Sequence, residues 1–294
     1  YMFLDDTACN LASLNLMRFL DAQARRFEVD SFRHATRLWS AVLDISVQMA
    51  QFPSKEIALR SWEYRTLGLG YANLGTLCMV LGMPYDSDAA RAWCGAITAL
   101  MTGEAYRTSA EMARQIGAFP AFVRNRDAML RVIRNHRRAA YNGALDSCEG
   151  LSTLPMRLHY DLCPMELTNA ARLVWDEALS LGEQHGYRNA QATVVAPTGT
   201  IGLLMDCDTT GIEPDFALVK YKKLAGGGYF RIINSAVPLA LESLGYAEDQ
   251  IRQITQYVRG TGILEGAAHV NRDSLRQKGL PEEALQRIED ALRG

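Results

Sequence analysis

Along the first two-thirds of the chain, apolar residues recur at three- and four-residue steps, the period of helices with one buried face. His34 to Phe52 carries Leu38, Val42, Ile45 and Met49 as one apolar stripe, and Pro53 ends it. A second helix is expected from Arg65 to Leu81, closed by Gly82 and Pro84. A third runs from Asp88 to Ile116, capped by Asp86 or Ser87 and stopped by Gly117. Phe119 to Phe122 reads as a turn, Asn125 to Tyr141 as a helix with a basic end, and Asn142 to Pro155 as a loop. Pro164 opens a helix that reaches His185, with Gly186 as its stop.

The pattern then changes. Ala192 to Ala196 is a short β-branched run bounded by Pro197, which suggests a buried strand. Phe216 to Leu224 and Tyr229 to Ile233 are two further strand candidates, with Gly226, Gly227 and Gly228 as a flexible connection. Helices are expected from Ala236 to Leu244 and from Glu248 to Val258, and Pro281 with Glu282 and Glu283 makes a helix start. Helices alternating with isolated buried strands imply an α/β, helix-rich architecture.

Composition narrows the function classes. The 294 residues are 48% hydrophobic and 22% charged, with a formal net charge of -2. No long-range positive field favours nucleic acid or an anionic membrane. Basic residues do cluster at Arg134, Arg137 and Arg138 and at Lys220, Lys222 and Lys223. No apolar run approaches the ~20 residues that span a bilayer. Asp5 and Asp6 interrupt any secretory pattern at the N-terminus. The six cysteines, Cys9, Cys78, Cys94, Cys148, Cys163 and Cys207, form no CxxC pair, so no metal site is expected. Such usage fits a reduced, cytoplasmic protein, in which a cysteine is ordinarily a small buried hydrophobe.

The strongest local chemistry is Ala196-Pro-Thr-Gly-Thr-Ile-Gly202. Small residues after a strand let backbone N–H groups approach an anion. Thr198 and Thr200 add hydroxyl donors, and the N-terminus of a helix beginning there favours phosphate. No Gly-Lys-Ser/Thr comes after it, so this is not a Walker loop. A tight strand–helix turn with a threonine cap would have the same pattern. Gly68 and Gly70 form an isolated Gly-x-Gly with no expected strand before it, which reads as close helix packing rather than dinucleotide binding.

The longer string is more specific. Ala192-Thr-Val-Val-Ala-Pro-Thr-Gly-Thr-Ile-Gly202, with Met205-Asp-Cys-Asp-Thr-Thr-Gly-Ile-Glu-Pro214 after it, resembles the catalytic subunit of ribonucleotide reductases. Leu218-Val-Lys-Tyr-Lys-Lys-Leu-Ala-Gly-Gly-Gly228, Met101 to Tyr106 and Arg134 to Tyr141 resemble the adenosylcobalamin-dependent (class II) branch. Tyr1 to Leu16 is similar to the stretch of chain immediately after that family's Asn-Pro-Cys-Ser-Glu finger loop.

The resemblance implies part, the C-terminal half, of the ribonucleotide reductase α/β barrel. Residues 1–270 would belong to the barrel and residues 271–294 to a truncated helical continuation. Pro197, Thr198, Gly199, Thr200 and Ile201 would hold the substrate's phosphates. Cys9 would be one of two reducing cysteines, its partner lying upstream, although without the resemblance it reads as a core residue ahead of Leu11, Leu14 and Leu16. The radical cysteine is expected just before Tyr1, so the chain alone is expected to be inactive. His136 is expected to be structural rather than a cobalt ligand.

The implied cofactor is adenosylcobalamin. The implied partners are a ribonucleotide, diphosphates being usual in this branch, a thioredoxin- or glutaredoxin-like reductant, and nucleotide effectors bound by other regions. A homodimer is compatible with all of this. The competing readings are another reductase class, a glycyl-radical barrel enzyme, or a non-catalytic helical binding domain.

Overall fold

In the computed structural model of the chain, residues 5–8, 10–157, 159–223, 229–259, 263–267 and 269–293 are described. The chain divides into two units, Tyr1–Asp215 and Phe216–Gly294. The first begins with β1 (Asn10–Asn15), a 3-10 turn at Leu16–Phe19, and a small antiparallel pair, β2 (Leu20–Asp21) and β3 (Arg26–Phe27). It continues through α1 (Val29–Met49), α2 (Lys55–Tyr64), β4 (Leu67–Ala72), α3 (Leu74–Val80), α4 (Asp88–Ile116), α5 (Phe122–Ala140), α6 (Met165–His185) and α7 (Gly199–Leu204).

The centre of this unit is parallel. β1 pairs with β4 from Asn10↔Leu67 to Asn15↔Ala72. On the other edge of β4 runs the segment 191–195. It accepts from Leu67 N–H at Gln191 O (2.9 Å), donates from Val194 N–H to Leu69 O (2.9 Å), and forms a parallel bridge at Leu69↔Thr193. The expected strand at Ala192–Ala196 is therefore an extended segment with one bridge. Every residue of β4 is buried, as a central parallel strand covered on both faces must be. Fully burying Leu67 and Leu69 contributes on the order of 1.5–3 kcal/mol each.

The expectation of one helix from Arg65 to Leu81 is corrected. Leu67–Ala72 is β4 and only Leu74–Val80 is helical. A short apolar run buried on both faces has neither strand nor helix periodicity, so its neighbours decide. Gly68 and Gly70 thus lie in a strand, not at a helix contact. A Cβ on Gly70 would fall 2.2 Å from Val194 O, so glycine is what lets the third segment close against β4.

The α1 stripe is also corrected. Leu38 is 52% and Met49 77% exposed, and Val42 and Ile45 are exposed as well. The buried face is Phe32, Thr36, Ser40, Leu43 and Val47. The Thr36 hydroxyl donates to Phe32 O (2.9 Å) and the Ser40 hydroxyl to Thr36 O (2.8 Å), so these small polar residues are buried without an unmet donor.

The other helices obey their local signals. Ser87 caps α4 by accepting from Ala90 N–H (3.1 Å), and Gly117 ends it at φ +88°. Gly186 ends α6 at φ +73°. α4 packs on α1 and α6, and α6 also packs on α5.

The second unit has an antiparallel hairpin, β5 (Val219–Lys223) and β6 (Tyr229–Ile233), as the two strand candidates suggested. The glycine connection expected between them lies outside the described residues. The hairpin leads into α8 (Val237–Ser243), α9 (Glu248–Arg259), α10 (Arg272–Gln277) and α11 (Glu282–Arg293). No helix among the described residues is long and apolar enough to cross a membrane.

Candidate functional site

The three parallel segments place the turns after Asn15, after Ala72 and after Val195 at one end, the C-terminal end of the strands. Loops at that end carry the chemistry of parallel α/β folds. Sequence resemblance points to the third of these turns. The structure adds the other two and shows how the three are tied together.

α7 starts at Gly199; Thr198, just before it, has a left-handed backbone (φ 52°, ψ 38°) and its side chain makes no capping hydrogen bond. The first helical bond that closes α7 runs from Gly202 N–H to Thr198 O (2.8 Å). The N–H groups of Gly199, Thr200 and Ile201 precede that bond and are the free donors of a helix start. Pro197, Gly199, Thr200 and Ile201 are exposed, and a Cβ built on Gly199 would meet open space. A backbone of this shape can be approached closely by an anion.

The two threonines differ. Thr198 is 6% exposed. Its hydroxyl donates to Pro197 O (2.8 Å) and accepts from Gly211 N–H (2.8 Å). A hydroxyl carries one hydrogen, so the expected donor role of Thr198 toward an anion is taken up inside the loop. Thr200 is exposed. Gly211, at φ +48°, approaches so closely that a Cβ there would sit 2.8 Å from Ala196 O.

The residues that sequence reasoning missed are two asparagines and two threonines. Asn73 takes a left-handed backbone (φ 72°, ψ 25°) directly after β4. Its N–H donates to Thr209 O (3.1 Å), and its side-chain oxygen accepts from Thr209 N–H (3.0 Å) and from the Thr76 hydroxyl (3.0 Å). Its amide nitrogen donates to Asn15 Oδ1 (2.9 Å). Asn15 in turn donates to the carbonyl oxygen of Met205 (3.0 Å), the residue that ends α7. The available signal was an asparagine at the end of one strand and directly after another, a residue type that tolerates the left-handed region and bonds backbone groups.

The other candidates separate cleanly. Cys9 lies outside the described residues. Burial pushes the Cys78 and Cys163 thiols up to about 11. Burial and the neighbouring Asp208 and Asp206 carboxylates do the same to Cys207. None of these three is an activated nucleophile. His136 lies flat on the Trp175 ring (4.9 Å between centroids, 4° between planes), a packing role.

At the opposite end of the strands a buried ionic cluster precedes β4 and the third segment. Arg65 Nε donates to Asp44 Oδ1 (2.8 Å), and Asn189 Nδ2 donates to the same oxygen (2.8 Å). Arg188 Nε reaches Asp44 Oδ2 (3.4 Å). These groups anchor the start of the segment that ends in the 197–201 loop.

Comparison with known proteins accords with this geometry. The family described as "Ribonucleotide reductase, barrel domain" matches residues 1–277. A protein named vitamin B12-dependent ribonucleotide reductase from Agrobacterium fabrum is 62% identical over 294 residues, all of this chain and 23% of that protein. One of the same name from Rhodopirellula baltica is 52% identical over 267 residues, 91% of this chain and 24% of that protein. The ribonucleoside-diphosphate reductase large subunit of Plasmodium falciparum is 23% identical over 274 residues, 93% of this chain and 30% of that protein. The chain thus spans about a quarter of the length of these curated relatives. The family match over nearly the whole length, together with these relatives, shows that the chain belongs to the ribonucleotide reductase barrel-domain family.

Proposed function

We propose that this chain supplies the phosphate-holding side of an active site that reduces ribonucleotides, in the diphosphate form, to 2′-deoxyribonucleotides. The reaction is a two-electron reduction in which a dithiol becomes a disulfide and the 2′ hydroxyl leaves as water. Cys9 is one thiol of that pair, and a thioredoxin- or glutaredoxin-like protein restores it. Residues 1–270 belong to the catalytic barrel, with 271–294 as a helical continuation. Adenosylcobalamin is the cofactor, and when bound it supplies the initiating radical. His136 is stacked on Trp175, a packing role.

The work of the described residues is binding and orientation. The N–H groups of Gly199, Thr200 and Ile201 and the Thr200 hydroxyl face the phosphate oxygens. Pro197 and Thr198 hold the turn open, Thr198 through its bonds to Pro197 O and Gly211 N–H. Fixing the phosphate end fixes the ribose against the reacting thiols. The observation that carries this reading is the exposed first turn of α7, braced from behind by the buried Thr198 hydroxyl.

The test is Thr200→Val in the full-length reductase. A hydrogen bond to a charged group is worth about 1.5–3 kcal/mol, so the KM for the ribonucleotide should rise roughly 10- to 100-fold. Unchanged turnover and KM would remove the phosphate role of the loop.

A further inference from the structure

We propose that Asn73 is a positioning residue for the phosphate loop, setting where α7 stands relative to β1 and β4. The inference rests on the phosphate reading of residues 197–201 and deepens it.

A left-handed position directly after a strand is one where glycine fits without strain. Asparagine stands here instead, 1% exposed, and its polar atoms are engaged. Its backbone N–H and side-chain oxygen grip Thr209 O and Thr209 N–H, much as a neighbouring strand would (3.1 and 3.0 Å). Thr209 is gripped again by Thr76, whose N–H donates to Thr209 Oγ1 (3.1 Å). Two residues beyond Thr209, Gly211 N–H donates to Thr198 Oγ1 (2.8 Å), at the start of α7. On its other side Asn73 donates to Asn15, and Asn15 donates to Met205 O, at the end of α7. One side chain therefore links to both ends of α7.

This matters because α7 has six residues. A helix that short does not hold its own shape or direction. Its orientation comes from what grips its ends. Both grips lead to the strands, and β1 begins one residue after Cys9 in the chain. Asn73 thus sets where the group that holds the phosphate stands relative to β1 and β4. A shift of about 1 Å in that placement can cost on the order of a hundredfold in rate.

The experiment uses the full-length reductase with Asn73→Gly, which keeps the left-handed backbone and removes only the amide. Thr200→Val is the comparison. Two quantities are read: kcat/KM for the ribonucleotide, and the preference for product deoxynucleotide over the deoxynucleoside that lacks phosphate, measured as a ratio of inhibition constants. Asn73→Gly is expected to lower kcat/KM roughly 10- to 100-fold and to shrink the phosphate preference. General loosening of the fold would weaken both inhibitors alike and leave that ratio unchanged.

A preserved ratio in Asn73→Gly, with a reduced one in Thr200→Val, overturns the positioning role and leaves the phosphate reading standing. A preserved ratio in Thr200→Val overturns the phosphate reading and this inference with it. If Asn73→Gly does not fold, Asn15→Ala is read in the same way. It removes both the tie to Met205 and the acceptor of the Asn73 amide nitrogen, and it should shrink the same ratio.

Discussion

Replacing Asp44 by alanine removes the carboxylate at the centre of the buried cluster below the strands. The Arg65 side chain is 1% exposed and that of Asp44 6%. The substitution deletes the acceptor of Arg65 Nε (2.8 Å), of Asn189 Nδ2 (2.8 Å) and of Arg188 Nε (3.4 Å). Removing one partner of a buried pair costs about 3–5 kcal/mol, because the remaining charge stays out of water. Arg65 would still donate to the backbone oxygen of residue 44 (2.8 Å) and to Gln48 Oε1 (3.3 Å), and Asn189 to Arg65 O (3.0 Å), which favours the lower end of that range. At about 2–4 °C per kcal/mol for a unit of this size, the loss is roughly 6–12 °C in the melting of the barrel portion. A large reductase need not melt as one transition. Thermal unfolding of the full-length protein is therefore paired with hydrogen exchange of peptides covering 188–195, which should lose protection. The double variant Asp44→Leu with Arg65→Met, apolar on both sides, should recover most of the loss. A double variant as unstable as Asp44→Ala would show that the cost is lost packing and not an unpaired charge, and would refute the reasoning.

Two further outcomes are expected. Arg134 donates twice to Glu149 (2.8 and 2.6 Å) and Arg138 once (2.6 Å), and these bonds hold its carboxyl down at about 2. A depressed carboxylate contributes stability above its ordinary value, near 4.5, and loses it as pH falls through the folded value. The 145–149 turn should thus release from α5 between about pH 4.5 and 2, and in Glu149→Gln its exchange protection should no longer vary over that window; a wild-type turn equally protected at both pH values would refute the assignment. Cys9→Ser in the full-length reductase should abolish multiple turnover with a dithiol-protein reductant, and a normal steady-state rate would sink the redox assignment.

What the sequence determined by itself was local or carried by an unbroken string. Ser87 and Gly117 bound α4 because a cap needs only its own turn, and Gly186 ends α6 for the same reason. The 192–202 string pointed to the family, since its residues are contiguous. Tertiary structure decided whatever depends on a distant partner. Leu67–Ala72 is a strand because β1 and the 191–195 segment flank it, about 57 and 124 residues away in sequence. The apolar stripe Leu38, Val42, Ile45 and Met49 lies exposed because the Phe32, Thr36 and Ser40 face is the buried one, and periodicity reveals a stripe without saying what it faces. Asn73 gains its meaning from Thr209, 136 residues away, and Asn15, 58 residues away. The Thr198 hydroxyl had two readings until Gly211 was found against it. Helix caps are settled within one turn of chain, whereas hydrogen bonds between strand-end loops exist only once the strands are paired.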